Sequence, residues 1–109
     1  MTDITSDQGD VFQDLTPLNN INLLNRACVY TIWTLTSTPD RYNILYIGQT
    51  GQAQTRLDQN HHKYQCWQTH NVNGLYVAFL PTPSVQYTES QRRQIETTLI
   101  QKYNPVCNN

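Results

Sequence analysis

ACVYTIWTLTSTPDRYNILYIGQT, residues 27–50, sets the architecture of the chain. From Ala27 to Thr36 it alternates β-branched and aromatic residues, side chains that suit a pleated, half-buried surface better than a helix. STPDRYN, residues 37–43, carries the Pro and Asp of a turn. NILYIG, residues 43–48, is short, mostly apolar and stopped by Gly48. Two strands joined by a Pro/Asp loop predict an antiparallel hairpin.

Working downstream, Gln52 to Gln65 sets Ala53, Leu57 and Tyr64 among charged and amide residues, a pattern that suits an exposed helix. THNVNG is loop-like, and LYVAFL after it predicts a third strand ended by Pro81. Thr88 caps a further helix with Glu89 in its first turn, and Ile95, Leu99, Ile100 and Tyr103 make its apolar stripe before Asn104-Pro105. Upstream, the polar MTDITSDQGD buries little and is expected to fray. Thr16-Pro17 looks like the start of a short helix, with Leu18, Ile21 and Leu24 at helical spacing. The expectation is an α+β fold: a small three-stranded antiparallel sheet flanked by helices over 27–109, with 1–26 as an N-terminal extension.

A chain of 109 residues holds one core. Its charged fraction is only 14% and its net charge −1, so it exerts no sequence-wide attraction on phosphates, which speaks against tight non-specific DNA binding. Cys28, Cys66 and Cys107 are odd in number, far apart and without a CxxC pair, which reads as reduced thiols. No stretch looks like a secretion signal or an apolar membrane span, so a soluble, cytoplasmic protein is expected.

Three separated blocks carry a resemblance. Cys28-Val29-Tyr30 comes first. Tyr46-Ile47-Gly48-Gln49-Thr50 comes second, followed eight residues after Gly48 by Arg56 and then by His61 and His62. The third is IETTLIQKYNPVCN, with Glu96, Leu99-Ile100, Asn104-Pro105 and Asn108. Each block alone is weak, but their conjunction resembles the GIY-YIG nuclease superfamily over residues 28–108. Two departures stand out: fifteen residues separate Tyr30 from Tyr46, a few more than the family usually has, and Cys28 replaces a Gly. The first falls in the turn, where insertion is tolerated. The second matters if backbone must approach closely there.

The resemblance implies a metal-dependent endonuclease that hydrolyses DNA phosphodiesters. By it, Tyr30 draws a proton from water, Arg56 clamps the scissile phosphate and Glu96 binds one Mg²⁺ or Mn²⁺. Each residue type suits its role. Guanidinium is a planar fork for two phosphate oxygens, a carboxylate is a hard oxygen ligand, and a phenol with an ordinary pKa of about 10 needs cationic help to act as a base. Tyr46, His61 and His62 are further catalytic candidates. Gly48, Gln49, Thr50 and Lys63 are expected to contact substrate, and Asn104 or Asn108 to tie the last turn to the active-site strands. With seven Lys+Arg the chain would bind DNA weakly and in a salt-sensitive way, its specificity coming from the N-terminal extension, a homodimer or a partner protein.

Blander readings stand beside these. Arg56 could pair with Asp58 or Glu89, His62, Cys66 and His70 fall at a spacing that could gather zinc, and Asn104-Pro105 is equally a helix stop. The alternative function is a catalytically inactive module of the same family that binds nucleic acid or protein.

Overall fold

The computed structural model describes residues 2–18, 23–51 and 55–109. Strands β1 (Thr2–Thr5), β2 (Val11–Pro17), β3 (Leu23–Leu24), β4 (Cys28–Leu35), β5 (Tyr42–Thr50) and β6 (Thr55–Arg56) lead to helix α1 (Tyr64–Thr69). Strand β7 (Leu75–Pro81), helix α2 (Glu89–Tyr103) and a 3-10 turn (Val106–Asn108) close the chain.

Among the described residues the main sheet has five strands in the order β1-β2-β7-β4-β5, every neighbouring pair antiparallel. This corrects the expected three-stranded sheet. Strands β4, β5 and β7 are where the alternating runs place them, but residues expected to fray or to coil into a helix add β1 and β2. Phe12 shows why: it is fully buried and meets Trp33 edge to face with ring centroids 5.8 Å apart, more apolar contact than a free polar tail would give up. The β1–β2 turn is closed by Ser6 N–H donating to the Asp10 carbonyl at 2.8 Å, with Gly9 at a φ of 90°. Asp10 is in turn anchored to α2, accepting from Lys102 Nζ at 2.8 Å and from the Tyr103 hydroxyl. Of the helix expected from Pro17, Ile21 lies outside the described residues, Leu18 is buried in the core, and Leu23–Leu24 pairs as a strand with Thr55–Arg56.

Strand β4 lies inside the sheet between β7 and β5, and from Cys28 to Thr34 every residue is buried, so its two faces feed two cores. Cys28, Tyr30 and Ile32 join Val77, Phe79, Leu57 and Trp67 on one side. Val29 and Trp33 join Phe12, Ile47, Ala78 and Leu99 on the other, where α2 lays Ile95, Ile100 and Tyr103. The β4–β5 pairing shifts register between Ile32 and Trp33, opposite Tyr46 and Ile44, and this bulge turns Leu45 and Tyr46 into the same core. Helix α2 begins in a capping box, Thr88 Oγ1 accepting from Gln91 N–H at 3.1 Å while Gln91 Oε1 accepts from Thr88 N–H at 2.8 Å. It stops where Asn104 takes the left-handed conformation before Pro105.

Two further expectations change. The helix expected over 52–65 starts only at Tyr64; of the earlier part, 52–54 including Ala53 lie outside the described residues, Thr55–Arg56 is a strand, and Asp58 nucleates a turn. Its carboxylate accepts from Asn60 N–H at 3.0 Å, the local bond by which Asp competes with helix. The cysteines are not all thiols: Cys66 of α1 and Cys107 of the closing turn form a disulfide with Cα atoms 5.8 Å apart. Cys28 is free, and burial pushes its thiol up to about 12. No helix among the described residues is long and apolar enough to cross a membrane.

Candidate active site

At the edge of the sheet formed by β5, an open cavity of about 530 Å³ gathers Tyr30 from β4, Tyr46 from β5, Arg56 from β6, His61 and His62 from the loop before α1, and Glu96 from α2. Gln49, Thr55 and Asn60 complete its walls. Six residues spread over 67 positions of sequence therefore share one space.

Tyr30 stands opposite Gly48 in the β4–β5 ladder. A Cβ at Gly48 would fall 2.5 Å from Tyr30 Cζ, 2.6 Å from its hydroxyl oxygen and 2.9 Å from Tyr46 Cε2. Gly48 is thus the gap into which both phenols fit, which gives a direct packing reason for glycine in YIG. The gap expected at Cys28, by contrast, is filled by its buried side chain.

Tyr30 Oη lies 2.9 Å from His61 Nε2, and His61 Nδ1 accepts the Lys63 backbone N–H at 3.0 Å. A neutral imidazole that accepts at Nδ1 carries its proton on Nε2, so His61 donates to Tyr30. Burial, then His62, then Lys63 lower His61 to about 4, keeping it neutral at physiological pH. A bond between the two phenols raises Tyr30 and lowers Tyr46, as it does when Tyr30 donates and Tyr46 accepts. The chain of donors runs Lys63 N–H, His61, Tyr30, Tyr46, and Tyr46 is its outer end. His61 is held by stacking on His62 at 4.6 Å and by Trp67 at 4.5 Å between ring centroids.

Burial pushes both phenols well above the usual tyrosine range; the charge of Glu96 adds to this in each. Glu96 itself is raised by burial, against the lowering effects of Arg93 and of a hydrogen bond from the Gln49 backbone. The Gln49 side-chain oxygen on the same wall is buried with no hydrogen-bond partner among the described residues. A half-buried carboxylate beside an orphaned acceptor oxygen is a donor set that fits a hard divalent cation, with water and phosphate oxygens completing its shell.

The other expected residues divide. Arg56 lines the cavity while its Nη1 lies 3.4 Å from Asp58 Oδ2, the bland ion pair, with the Arg56 side chain 59% exposed. Thr50 is buried and accepts from Thr55 Oγ1 at 2.7 Å, outside the cavity lining. Lys63 contributes its backbone to His61, and its side chain is not on the cavity wall. Asn108 brackets Ile47, accepting its N–H at 2.8 Å and donating to its carbonyl at 2.9 Å, so it covers the open edge of β5 as another strand would. Asn104 is the helix stop. Of the zinc spacing, Cys66 is committed to the disulfide, and among the described residues no three His, Cys, Asp or Glu side chains converge on a metal position.

Sequence reading passed over Thr55, Asn60, Trp67 and the buried Arg92 one helical turn before Glu96. Trp67 had a signal, a Trp three residues after Tyr64 in a helical stretch; the others had none. No family model, curated protein or solved structure matches the chain.

Proposed function

We propose that the chain is a GIY-YIG-type, divalent-metal-dependent endonuclease that hydrolyses DNA phosphodiesters. The observation that carries this reading is the meeting of Tyr30, Tyr46, Arg56, His61 and Glu96, drawn from three distant sequence blocks, in one open cavity. Mg²⁺ or Mn²⁺ held by Glu96 would supply charge to neutralise the phosphate oxygens and would cancel the carboxylate's effect on the phenols.

Tyr30 accepts the proton of the attacking water. For this Tyr30 must first be a phenolate: its proton passes along its hydrogen bond to the Tyr46 oxygen while Tyr46 releases its own to solvent in the open cavity. That loss is opposed by burial and helped by the His61 Nε2–H already on the Tyr30 oxygen and by the Tyr46 hydroxyl, which then donates back. Arg56, exposed and paired among the described residues with Asp58 at the surface, leaves that pair for the scissile phosphate at little cost, because surface ion pairs contribute little. Low basic charge leaves recognition of particular sites to a second copy or a partner protein.

The test is nicking of supercoiled plasmid at low salt with Mg²⁺ or Mn²⁺, wild type beside Glu96→Gln. Metal-dependent nicking lost in Glu96→Gln supports the proposal. Equal nicking by both, or none by a folded wild-type protein, defeats it, the latter leaving the inactive binding module as the better reading.

A further inference from the structure

Arg92 has an environment that the site above does not explain. It is 2% exposed, buried between α2 and the chain after β7. Its Nε donates to Thr82 Oγ1 at 2.9 Å, and its Nη2 to the Thr82 carbonyl at 3.2 Å and to Ser84 Oγ at 3.4 Å. All eight Asp and Glu residues are among those described, and none forms an ion pair with it. A buried guanidinium without a carboxylate is costly, because hydroxyl and carbonyl dipoles replace only part of its hydration. Its Nη1 faces Gly51, 3.5 Å from where a Cβ on that residue would stand. There it borders a second open cavity, of about 420 Å³, walled by Gly51, Ser84, Tyr87, Thr88, Glu89 and Arg92. The one acid on this wall, Glu89, is paired with Arg93 at 3.1 Å.

This cavity and the first are walled by neighbouring stretches of α2 and of the chain at the end of β5. Arg92 is four residues before Glu96 on α2, about 6 Å along the helix axis, and Gly51 is two residues past Gln49, a similar distance along the chain. The rise of about 3.4 Å per nucleotide of a B-DNA strand is measured along the helix axis, and successive phosphates on the winding backbone lie roughly twice as far apart, so a phosphate at one cavity places its neighbour at the second.

We propose that the Arg92 cavity receives a backbone phosphate of the nucleic-acid strand, flanking the phosphate held beside Glu96. The inference rests on the nuclease reading and names a substrate contact that reading lacks. The three fixed hydrogen bonds orient the fork so that its Nη1 edge is free for a phosphate oxygen.

The test puts a competing carboxylate into the cavity and leaves Arg92 untouched. Gly51→Asp and Ser84→Asp do so from opposite walls, and Gly51→Asn is the uncharged control; melting curves confirm that each is folded. Binding of a labelled oligonucleotide duplex is followed by fluorescence anisotropy in EDTA, which prevents turnover, across a series of NaCl concentrations. The slope of log affinity against log salt is expected to fall by about 0.9 in each Asp variant, the loss of one phosphate contact, and to stay at the wild-type value in Gly51→Asn. Unchanged slopes in both Asp variants, with wild type binding, overturn this inference alone. Absence of salt-dependent binding by wild type overturns the nuclease reading and this inference with it.

Discussion

Breaking the Cys66–Cys107 bridge is the perturbation whose size follows most directly from the fold. The two cysteines are 41 residues apart in sequence, and closing a loop of that length in the unfolded chain removes about 13 cal/mol/K by the chain-entropy relation, or about 3.9 kcal/mol at 25 °C. Unfolding entropy for 109 residues near 60 °C is about 0.23 kcal/mol/K, so reduction should lower the melting temperature by roughly 17 °C. Denaturant and thermal melts with and without a dithiol reductant measure it. A thiol titration of the unfolded, unreduced protein checks the premise: one reactive thiol, Cys28, if the bridge is formed, and three if it is not. The consequence reaches the site, because Cys66 precedes Trp67, which packs on His61, and Cys107 precedes Asn108, which brackets Ile47 beside Tyr46 and Gly48. Three thiols, or melting temperatures that agree within a few degrees in the two conditions, would refute the reasoning.

Gly48→Ala should destabilise by about 1–3 kcal/mol by overpacking against Tyr30 and should reduce nicking more than a Cys28→Ala control does; a neutral effect on urea melts would mean that the phenols are not seated as described. Tyr30→Phe keeps the ring and removes the hydroxyl, so single-turnover nicking should fall by about 10²–10⁴ with folding retained, and a larger loss in Tyr46→Phe would move the proton acceptor to the outer phenol. His61 titrates lower in the folded than in the unfolded protein, which makes its contribution fully present above the ordinary histidine pKa of about 6.5 and lost as pH falls toward 4. Stability should therefore drop over that window more in wild type than in His61→Gln, and parallel pH profiles would exclude His61 as the group responsible.

The hairpin of β4 and β5 could be read from sequence because its signals are local: alternating β-branched and aromatic residues, then Pro and Asp at a turn where Asp40 takes a φ of 60°. The capping box of α2 is local in the same way. The fourth and fifth strands are not. Strand β2 has a single fully buried anchor, Phe12, its register slips between Gln13 and Thr16, and Asp14 stands at a φ of 59°, so no period-2 run survives to be noticed. The tail before it is polar enough to solvate itself. What makes it a strand is the unpaired edge of β7 and the Asp10 contacts with Lys102 and Tyr103, partners more than ninety residues away.

The site divides along the same line. The family resemblance of the three blocks singled out Tyr30, Tyr46, Arg56 and Glu96, and the backbone brings them together because β4 and β5 pair directly while Glu96 of α2 meets the Gln49 backbone of β5. What those residues can do depends on bonds with no sequence signature. The tautomer of His61 is set by the Lys63 backbone, not by a neighbouring carboxylate, so the histidine supplies a proton to Tyr30's oxygen and does not remove one. That makes Tyr30 a base only as a phenolate, in a place where burial and Glu96 both oppose it. On the proposed reading, a cation held by Glu96 would serve twice, for the phosphate oxygens and for the phenol. Glu96→Gln removes the ligand and, with it, the charge that raises both tyrosines, so the pH profile tells the two roles apart: a variant that still nicks, with its profile moved to lower pH, would show that Glu96 acts on the phenols and not through a metal, whereas loss of nicking at every pH is expected if Glu96 holds the metal.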